Sequence, residues 1–349
     1  MALASAIRYA DGLVELDHVE AFVAIVRRGG FSRAAAALHL SQPAISRRVH
    51  LLEDELGAPL FDRVRSGATL TDAGRAFLPH AEALLASMRD GVEAVGALKG
   101  GDRGTVTLAL VGTLASTPLT ERLRRFREGF PAIELRVRTA LSREVSDLVR
   151  RGDATLGLRY ERDPHPELTS TVIHDEPMVA VCAPRHPLAR ARAVRPAALA
   201  GERWITFPPR PGPGPEPYAT LLEHRLAACG LAGAPVIHID SLTAQKRMVE
   251  AGFGLALLAT SSVDEELRSG SLRALRAPAL RATIPIVLIH RRRGYLSGAA
   301  RALAAALSDW TAVSARRSRP ASARSRAPSS GGRAAPAAGG RSRSHRSRV

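Results

Sequence analysis

At 349 residues, 45% of them hydrophobic, the chain is too long for one ordinary domain and apolar enough to bury a core in each of two or three. No run of about 18 uninterrupted apolar residues occurs, and the N-terminal MALASAIRYADGLVEL has only a short apolar patch before Arg8 and Asp11; neither a transmembrane helix nor a signal peptide is expected. The formal net charge of +17 suits a nucleic-acid partner, yet ten of the arginines lie in the acid-free tail from Thr311 onward, and 48 arginines against only Lys99 and Lys246 is a bias that carries little functional weight. Cys182 and Cys229 sit in apolar stretches without C-x-x-C spacing and read as reduced, buried thiols of a cytoplasmic protein.

Residues 14 to 57 suggest three helices with short connections. Leu16, Val19, Phe22, Val23 and Val26 recur at helical spacing until Gly29 and Gly30 stop the pattern. Ser32 is the expected cap of a second, alanine-rich helix ending near His39 and Leu40, and Ser41 caps a third. Pro43 belongs in the first turn, where its missing N–H has no partner to lose. On that third helix Ile45, Val49, Leu52 and Leu56 share one face, while Pro43, Arg47, His50 and Asp54 project from the other, flanked by Gln42 and Ser46. Two short helices and a tight turn, the second helix polar at its leading turns, describe a helix-turn-helix. APLFDRVRSGATLT adds a hairpin wing with Ser66-Gly67 at its tip and Arg63 and Arg65 on its arm.

From Thr71 a long helix is expected, seamed by Phe77, Ala81, Leu84, Met88, Val92 and Val95, with Pro79 bending it or marking a late start. So long an amphipathic helix needs a partner surface, which points to dimerisation. KGGDRG, residues 99 to 104, is a hinge-like linker. TVTLALV, a helix through Leu119, Leu123 and Phe126, the alternating Ile133, Leu135 and Val137, a helix through Val145, Leu148 and Val149, and ATLGLRY then read as strand-helix-strand-helix-strand, a parallel α/β sheet. Further strands are expected at EPMVAVCAP, ERWITFPP, PVIHID, FGLALLAT and TIPIVLIH, with helices near 218 to 229 and 243 to 251 and a last helix, SGAARALAAALSDW. The total suggests two α/β subdomains with a cleft between them. From residue 314 the Arg/Ser/Ala/Pro/Gly composition cannot build a core, and disorder is expected.

FSRAAAALHLSQPAISRRVHLLEDELGAPLFDRVRSGATLTDAGRAFL resembles the winged helix-turn-helix of LysR-type transcriptional regulators throughout, and HPLA (186 to 189) and MVEAGFGLALL (248 to 258) resemble that family's effector-domain signatures, in the right order. The likeness covers roughly residues 14 to 310. It implies an α+β multidomain protein: a winged helix-turn-helix over 14–71, a linker and dimerisation helix over 72–99, a two-subdomain, periplasmic-binding-protein-like α/β effector domain over 104–313, and the tail over 314–349. The function implied is ligand-responsive transcription control by a cytoplasmic homodimer or homotetramer on a partly palindromic promoter site, with RNA polymerase as a further partner and no membrane. The chain departs from the family pattern in the 13 residues before Val14, in the arginine-rich tail, and at Thr155, where an acidic residue is common.

Gln42, Pro43, Ser46 and Arg47 match family positions that meet DNA, and their geometry agrees: glutamine can pair with adenine, arginine with guanine, and Ser46 is short enough for close approach. Arg48 falls nearer the protein and suits phosphate or structure. Arg63 and Arg65 suit phosphate or the minor groove, and Ser32 and Arg33 suit phosphate. By the resemblance Thr113, Ser142, Thr206, Pro208, and Ser241 or Thr243 would line the effector cleft, with Phe253 near its wall. These donors carry no charge, which suits a small carboxylate. The histidines form no H-x-x-x-H or H-E-x-x-H, and G-x-S-x-G, Walker A and G-x-G-x-x-G are missing, so no metal, cofactor or enzymatic activity is expected. The competing reading is a small-molecule-binding α/β protein or enzyme with an accessory N-terminal module. It would want a signal peptide or a reactive constellation, and neither is visible.

Overall fold

The computed structural model describes residues 14–62, 68–98, 104–209 and 216–309. Its N-terminal part is three helices packed through one apolar core: α1 (Leu16–Arg28), α2 (Phe31–Leu38) and α3 (Gln42–Leu56). Gly29 ends α1 in the left-handed region at φ 71°, which a side chain would resist. The chain then passes through Gly30 into α2, whose first residue, Phe31, sets its ring against Phe61 at 5.4 Å. This anchor moves the helix start two residues ahead of the sequence-based expectation: the cap position is Gly30, and Ser32 lies exposed in the first turn with no capping role. At α3 the expectation holds. The Ser41 hydroxyl accepts the N–H of Ala44 at 3.3 Å with proline in the first turn, a cap worth about 1 kcal/mol.

Phe22 is the centre of this core, fully buried with its ring 5.4 Å from Phe61 and 5.5 Å from Phe77. Two short antiparallel strands, β1 (Phe61–Asp62) and β2 (Thr69–Leu70), form the base of the hairpin. Arg63 and Arg65, expected on its arm, lie outside the described residues. Thr71 then caps α4 (Asp72–Leu98), its hydroxyl accepting the Gly74 N–H at 3.0 Å. Pro79 sits inside α4 and does not delay its start; it forgoes one bond, to the carbonyl of Arg75. At 27 residues the helix is about 40 Å long. Its first turns pack Phe77 and Ala81 on the N-terminal core. Further along, Leu84, Met88, Val92 and Val95 are 48–65% exposed and, with Leu16, line an open apolar groove.

The second body begins with β3 (Gly104–Val111), α5 (Thr117–Gly129), β4 (Ile133–Ala140), α6 (Ser142–Arg150) and β5 (Leu156–Tyr160). β3 pairs parallel with both β4 and β5, as the alternation of strands and helices predicts. The parallel sheet stops there. β6 (Leu168–Cys182) starts well before EPMVAVCAP and, at 15 residues, runs from the first lobe into the second. The next strands and helices are β7 (Trp204–Thr206), α7 (Pro217–Ala228), β8 (Val236–His238), α8 (Leu242–Glu250), β9 (Ala256–Ala259), α9 (Thr260–Ser269), β10 (Arg273–Ala274), β11 (Ala282–Arg291) and α10 (Gly298–Ser308). β11 returns antiparallel along both β5 and β6, and β9 and β10 pair antiparallel with β6. The seven-stranded sheet is therefore mixed, and β6 and β11 tie the two lobes together. β7 and β8 form a small parallel pair.

The glycines of MVEAGFGLALL have a local reason: a Cβ on Gly254 would lie 2.4 Å from the carbonyl oxygen of Arg203, so only glycine lets the turn into β9 pass so close to the chain before β7. Cys182 is buried, which pushes its thiol up to about 11, and Cys229 is half-buried; both are free. No helix among the described residues is long and apolar enough to cross a membrane. The tail from residue 310 lies outside the described residues, and with it Trp310 and the expectation of disorder.

Candidate functional site

Two surfaces carry concentrated polar chemistry. The first is α3. Its inward residues Ile45, Val49 and Leu52 are buried at 0–3% exposure, and the same helical geometry leaves Gln42, Pro43, Arg47 and His50 exposed. Ser46 is half-buried beside them, and the Gln42 amide donates to its hydroxyl at 3.1 Å. Arg48 points the other way and binds Asp17 of α1 at 2.8 Å. Of the two adjacent arginines, Arg47 projects outward and Arg48 buttresses the helix pair. Arg33 is exposed at the start of α2 and donates to the Gly29 carbonyl, tying the two helices at their junction.

The second surface is a cleft of about 540 Å³ between the lobes, at the carboxyl ends of β3 and β4, where α/β sheets commonly hold ligands. Val111, Ala140 and Leu141 end these strands at its floor. Phe207 and Tyr218 form an aromatic corner, their rings 5.5 Å apart and tilted edge to face. Tyr160 stacks behind Tyr218 at 5.2 Å; burial raises both phenol pKa values, so both remain neutral hydrogen-bonding groups.

Of the residues expected to line the cleft, Thr113, Pro208 and Thr243 do so. Thr113 bonds the Tyr160 hydroxyl at 2.9 Å, and its carbonyl accepts the Ser262 hydroxyl at 3.1 Å. The other four do not. Ser142 is 1% exposed because Glu216 covers it, accepting its N–H at 3.2 Å and its hydroxyl at 2.5 Å. Thr206 is buried in β7, a short strand covered on both faces so that all three of its residues are inaccessible. Ser241 spends its hydroxyl on the Ala244 N–H at 3.3 Å and leaves the wall to its neighbours Asp240 and Leu242. Phe253 is 51% exposed, in the turn after α8 and away from the cleft.

The sequence reading missed α9 altogether, and with it Ser261, Ser262, Glu265 and Glu266 of the cleft wall. Val263 and Leu267 at helical spacing, closed by Gly270, were the available signal. Lys246 also escaped it: its ammonium bridges Glu266 at 2.5 Å and the Ser262 carbonyl at 3.2 Å. Below the cleft, Glu176 is 1% exposed and accepts the Ser261 N–H at 2.9 Å; burial raises its pKa, and that hydrogen bond partly offsets the rise.

A polar seam joins the two bodies. Glu82 of α4, 3% exposed, faces Arg27 of α1 at 3.5 Å and Arg150 and Arg151 at the end of α6 at 3.8 and 2.9 Å. Asp153 takes Arg27 and Arg89, each at 3.1 Å. Asp90 accepts the Arg291 guanidinium and, at 3.1 Å, the Tyr295 N–H.

A helix-turn-helix carried by a long helix onto a two-lobed cleft defines a DNA-binding protein with a small-molecule domain. Residues 16–75 match the family model of the bacterial regulatory helix-turn-helix protein, lysR family, and residues 99–312 match the LysR substrate binding domain. The chain is 31% identical to the HTH-type transcriptional regulator CfxR of Cupriavidus necator over 74% of its own length and 80% of that protein's. Among solved structures it is similar to a full-length OxyR variant from Pseudomonas aeruginosa, with a TM-score of 0.64 at 21% identity covering 85% and 94% of the two chains. It is also similar to full-length CbnR in complex with its target DNA, with a TM-score of 0.57 at 24% identity covering 87% and 100%. The chain belongs to the LysR family: it is a DNA-binding transcriptional regulator with an effector-binding domain, not an enzyme.

Proposed function

We propose that this regulator binds a partly palindromic promoter site as a homodimer or homotetramer, and that a small carboxylate-bearing metabolite entering the cleft changes how it holds that DNA. The observation that carries the DNA half is the division of α3 into a buried apolar face and an exposed face bearing Gln42, Pro43, Ser46 and Arg47. Gln42 and Arg47 have the donor and acceptor sets to read base edges in the major groove, with Ser32, Arg33 and the wing arginines Arg63 and Arg65 on the flanking backbone. Arg48, held by Asp17, fixes the helix rather than reading it.

The open apolar stripe on α4 supports an oligomer, since Leu84, Met88, Val92 and Val95 of a second copy would cover it. The cleft supports the ligand half. Effector closure would favour one arrangement of the lobes, and the Glu82 and Asp153 seam passes that preference to the helix that carries the DNA-binding domain; the driving force is differential ligand affinity for the two states. RNA polymerase is the partner through which a change in DNA geometry becomes a change in transcription.

The test is a gel shift and footprint of the full chain on the DNA upstream of its own gene, across salt concentrations and candidate carboxylates. Binding should weaken steeply with salt, and the protected region should change with at least one metabolite. A footprint indifferent to every metabolite would contradict the switch while leaving DNA binding intact.

A further inference from the structure

We infer that the effector carries an ammonium group as well as a carboxylate, an amino acid or another amino-carboxylate; this rests on the reading of the cleft as the effector site. Four helices begin at the cleft wall, and each start is a potential anion site because its leading N–H groups lack helical partners. Three are already served from within the chain. Glu216 sits on Ser142 at the start of α6, Glu176 on Ser261 at the start of α9, and the Ser241 hydroxyl caps α8.

The fourth start, that of α5, is different. Its cap residue Ser116 lines the cleft, is only 8% exposed, and its hydroxyl has no hydrogen-bond partner. A buried hydroxyl left without a partner is costly, and a carboxylate at this helix start would accept from it. The seat for the anion is therefore at Ser116, not at the Ser142 position, which Glu216 fills.

A simple carboxylate would be poorly matched by the rest of the lining. Among the described residues the cleft is walled by Glu216, Asp240, Glu265 and Glu266 against one cation, Lys246, and Lys246 is already spent on Glu266 and the Ser262 carbonyl. Asp240 and Glu265 are exposed to the cleft and make no ion pair among the described residues. Their charge repels a lone anion and attracts an ammonium. One ligand carrying both groups satisfies the Ser116 seat and the Asp240 and Glu265 wall together. The Phe207 and Tyr218 corner offers an apolar surface to its remaining atoms.

The experiment is isothermal titration calorimetry of the full-length protein with the twenty common L-amino acids and 4-aminobutyrate, each beside its des-amino and its decarboxylated counterpart. At least one amino-carboxylate should bind about tenfold or more tighter than both counterparts, the worth of a charged hydrogen bond. Asp240→Asn with Glu265→Gln, both at exposed positions, should erase the advantage over the des-amino compound. Ser116→Ala should weaken the amino-carboxylate and the des-amino compound alike. A des-amino carboxylate that binds as tightly as its amino parent, or a panel in which no amino-carboxylate binds, overturns the inference. If such a plain carboxylate also alters the DNA footprint, the sensing role stands without the ammonium. If the amino-carboxylate binds and the footprint does not move, the ligand class stands and the sensing role falls.

Discussion

The helix-turn-helix and the cleft solve opposite problems. In the first, one helix separates its residues by angle: Ile45, Val49 and Leu52 go inward and Gln42 and Arg47 outward, so the apolar core and the face proposed to meet DNA share one 15-residue segment. In the second, the wall is assembled from the starts of α5, α6, α8 and α9 and the loop after β7, residues spread from Val111 to Glu266. The α3 face depends on a single helix being held rigidly, whereas the cleft depends on two lobes whose register β6 and β11 set, with the Thr113–Ser262 and Ser142–Glu216 hydrogen bonds beside them. A defect in the first should be local, and a defect in the second should spread across the lobes.

Phe22→Ala puts the largest strain on that contrast. Removing a fully buried ring from between Phe61 and Phe77 should cost about 3–5 kcal/mol, enough to unfold the N-terminal helices alone. Thermal unfolding followed by circular dichroism should show an early N-terminal transition with the α/β transition unmoved. If both shift together, the two bodies are one folding unit.

Glu82→Ala comes next. It leaves Arg27, Arg150 and Arg151 facing one another without their carboxylate. The loss should be about 1–3 kcal/mol, less than for a fully buried pair because the arginines are partly exposed. It should appear as faster hydrogen exchange in both α1 and α6, since the seam belongs to both bodies; exchange confined to α4 would contradict its bridging role.

The smallest effect concerns Glu176. Burial raises its pKa, so in the folded state it holds its proton more readily than in the unfolded chain. Its contribution is then complete below the unfolded carboxylate value and is lost as pH rises through the raised folded value. Glu176→Gln cannot ionise. Its melting temperature should match the wild type at low pH and exceed it increasingly as pH rises toward neutrality, where a gap independent of pH would contradict the assignment.

The same contrast explains what could be read from the sequence. Ser41, Pro43 and the spacing of Ile45, Val49 and Leu52 define α3 and its outward face from sequence alone, because cap, period and proline all act within one helix. Ser32 was misjudged as a cap because the packing of Phe31 on Phe61, a contact across the fold, sets where α2 begins. The parallel run through β3, β4 and β5 followed from alternation, but the antiparallel return of β11 did not, since strand order is a long-range property.

In the cleft, Thr113, Pro208 and Thr243 line the wall, each at the start of a helix or in a turn beside a strand, where local pattern can point to them. Ser142 was right as a helix start and wrong as an open seat, because the residue that fills it, Glu216, lies 74 positions along the chain. Nothing local to Ser142 announces that pairing. Ser116, left without a partner, is equally invisible without the packing around it.

Whether α3 reads a specific DNA site through its exposed face is tested most directly by fluorescence anisotropy of Arg47→Ala on the upstream duplex and on a scrambled duplex of equal length. Binding to the upstream site should weaken by about 1–3 kcal/mol with relaxed base preference, and binding to the scrambled duplex, where phosphate contacts dominate, should change little. Unchanged affinity for the upstream site, or an equal loss on both duplexes, would contradict base reading by α3.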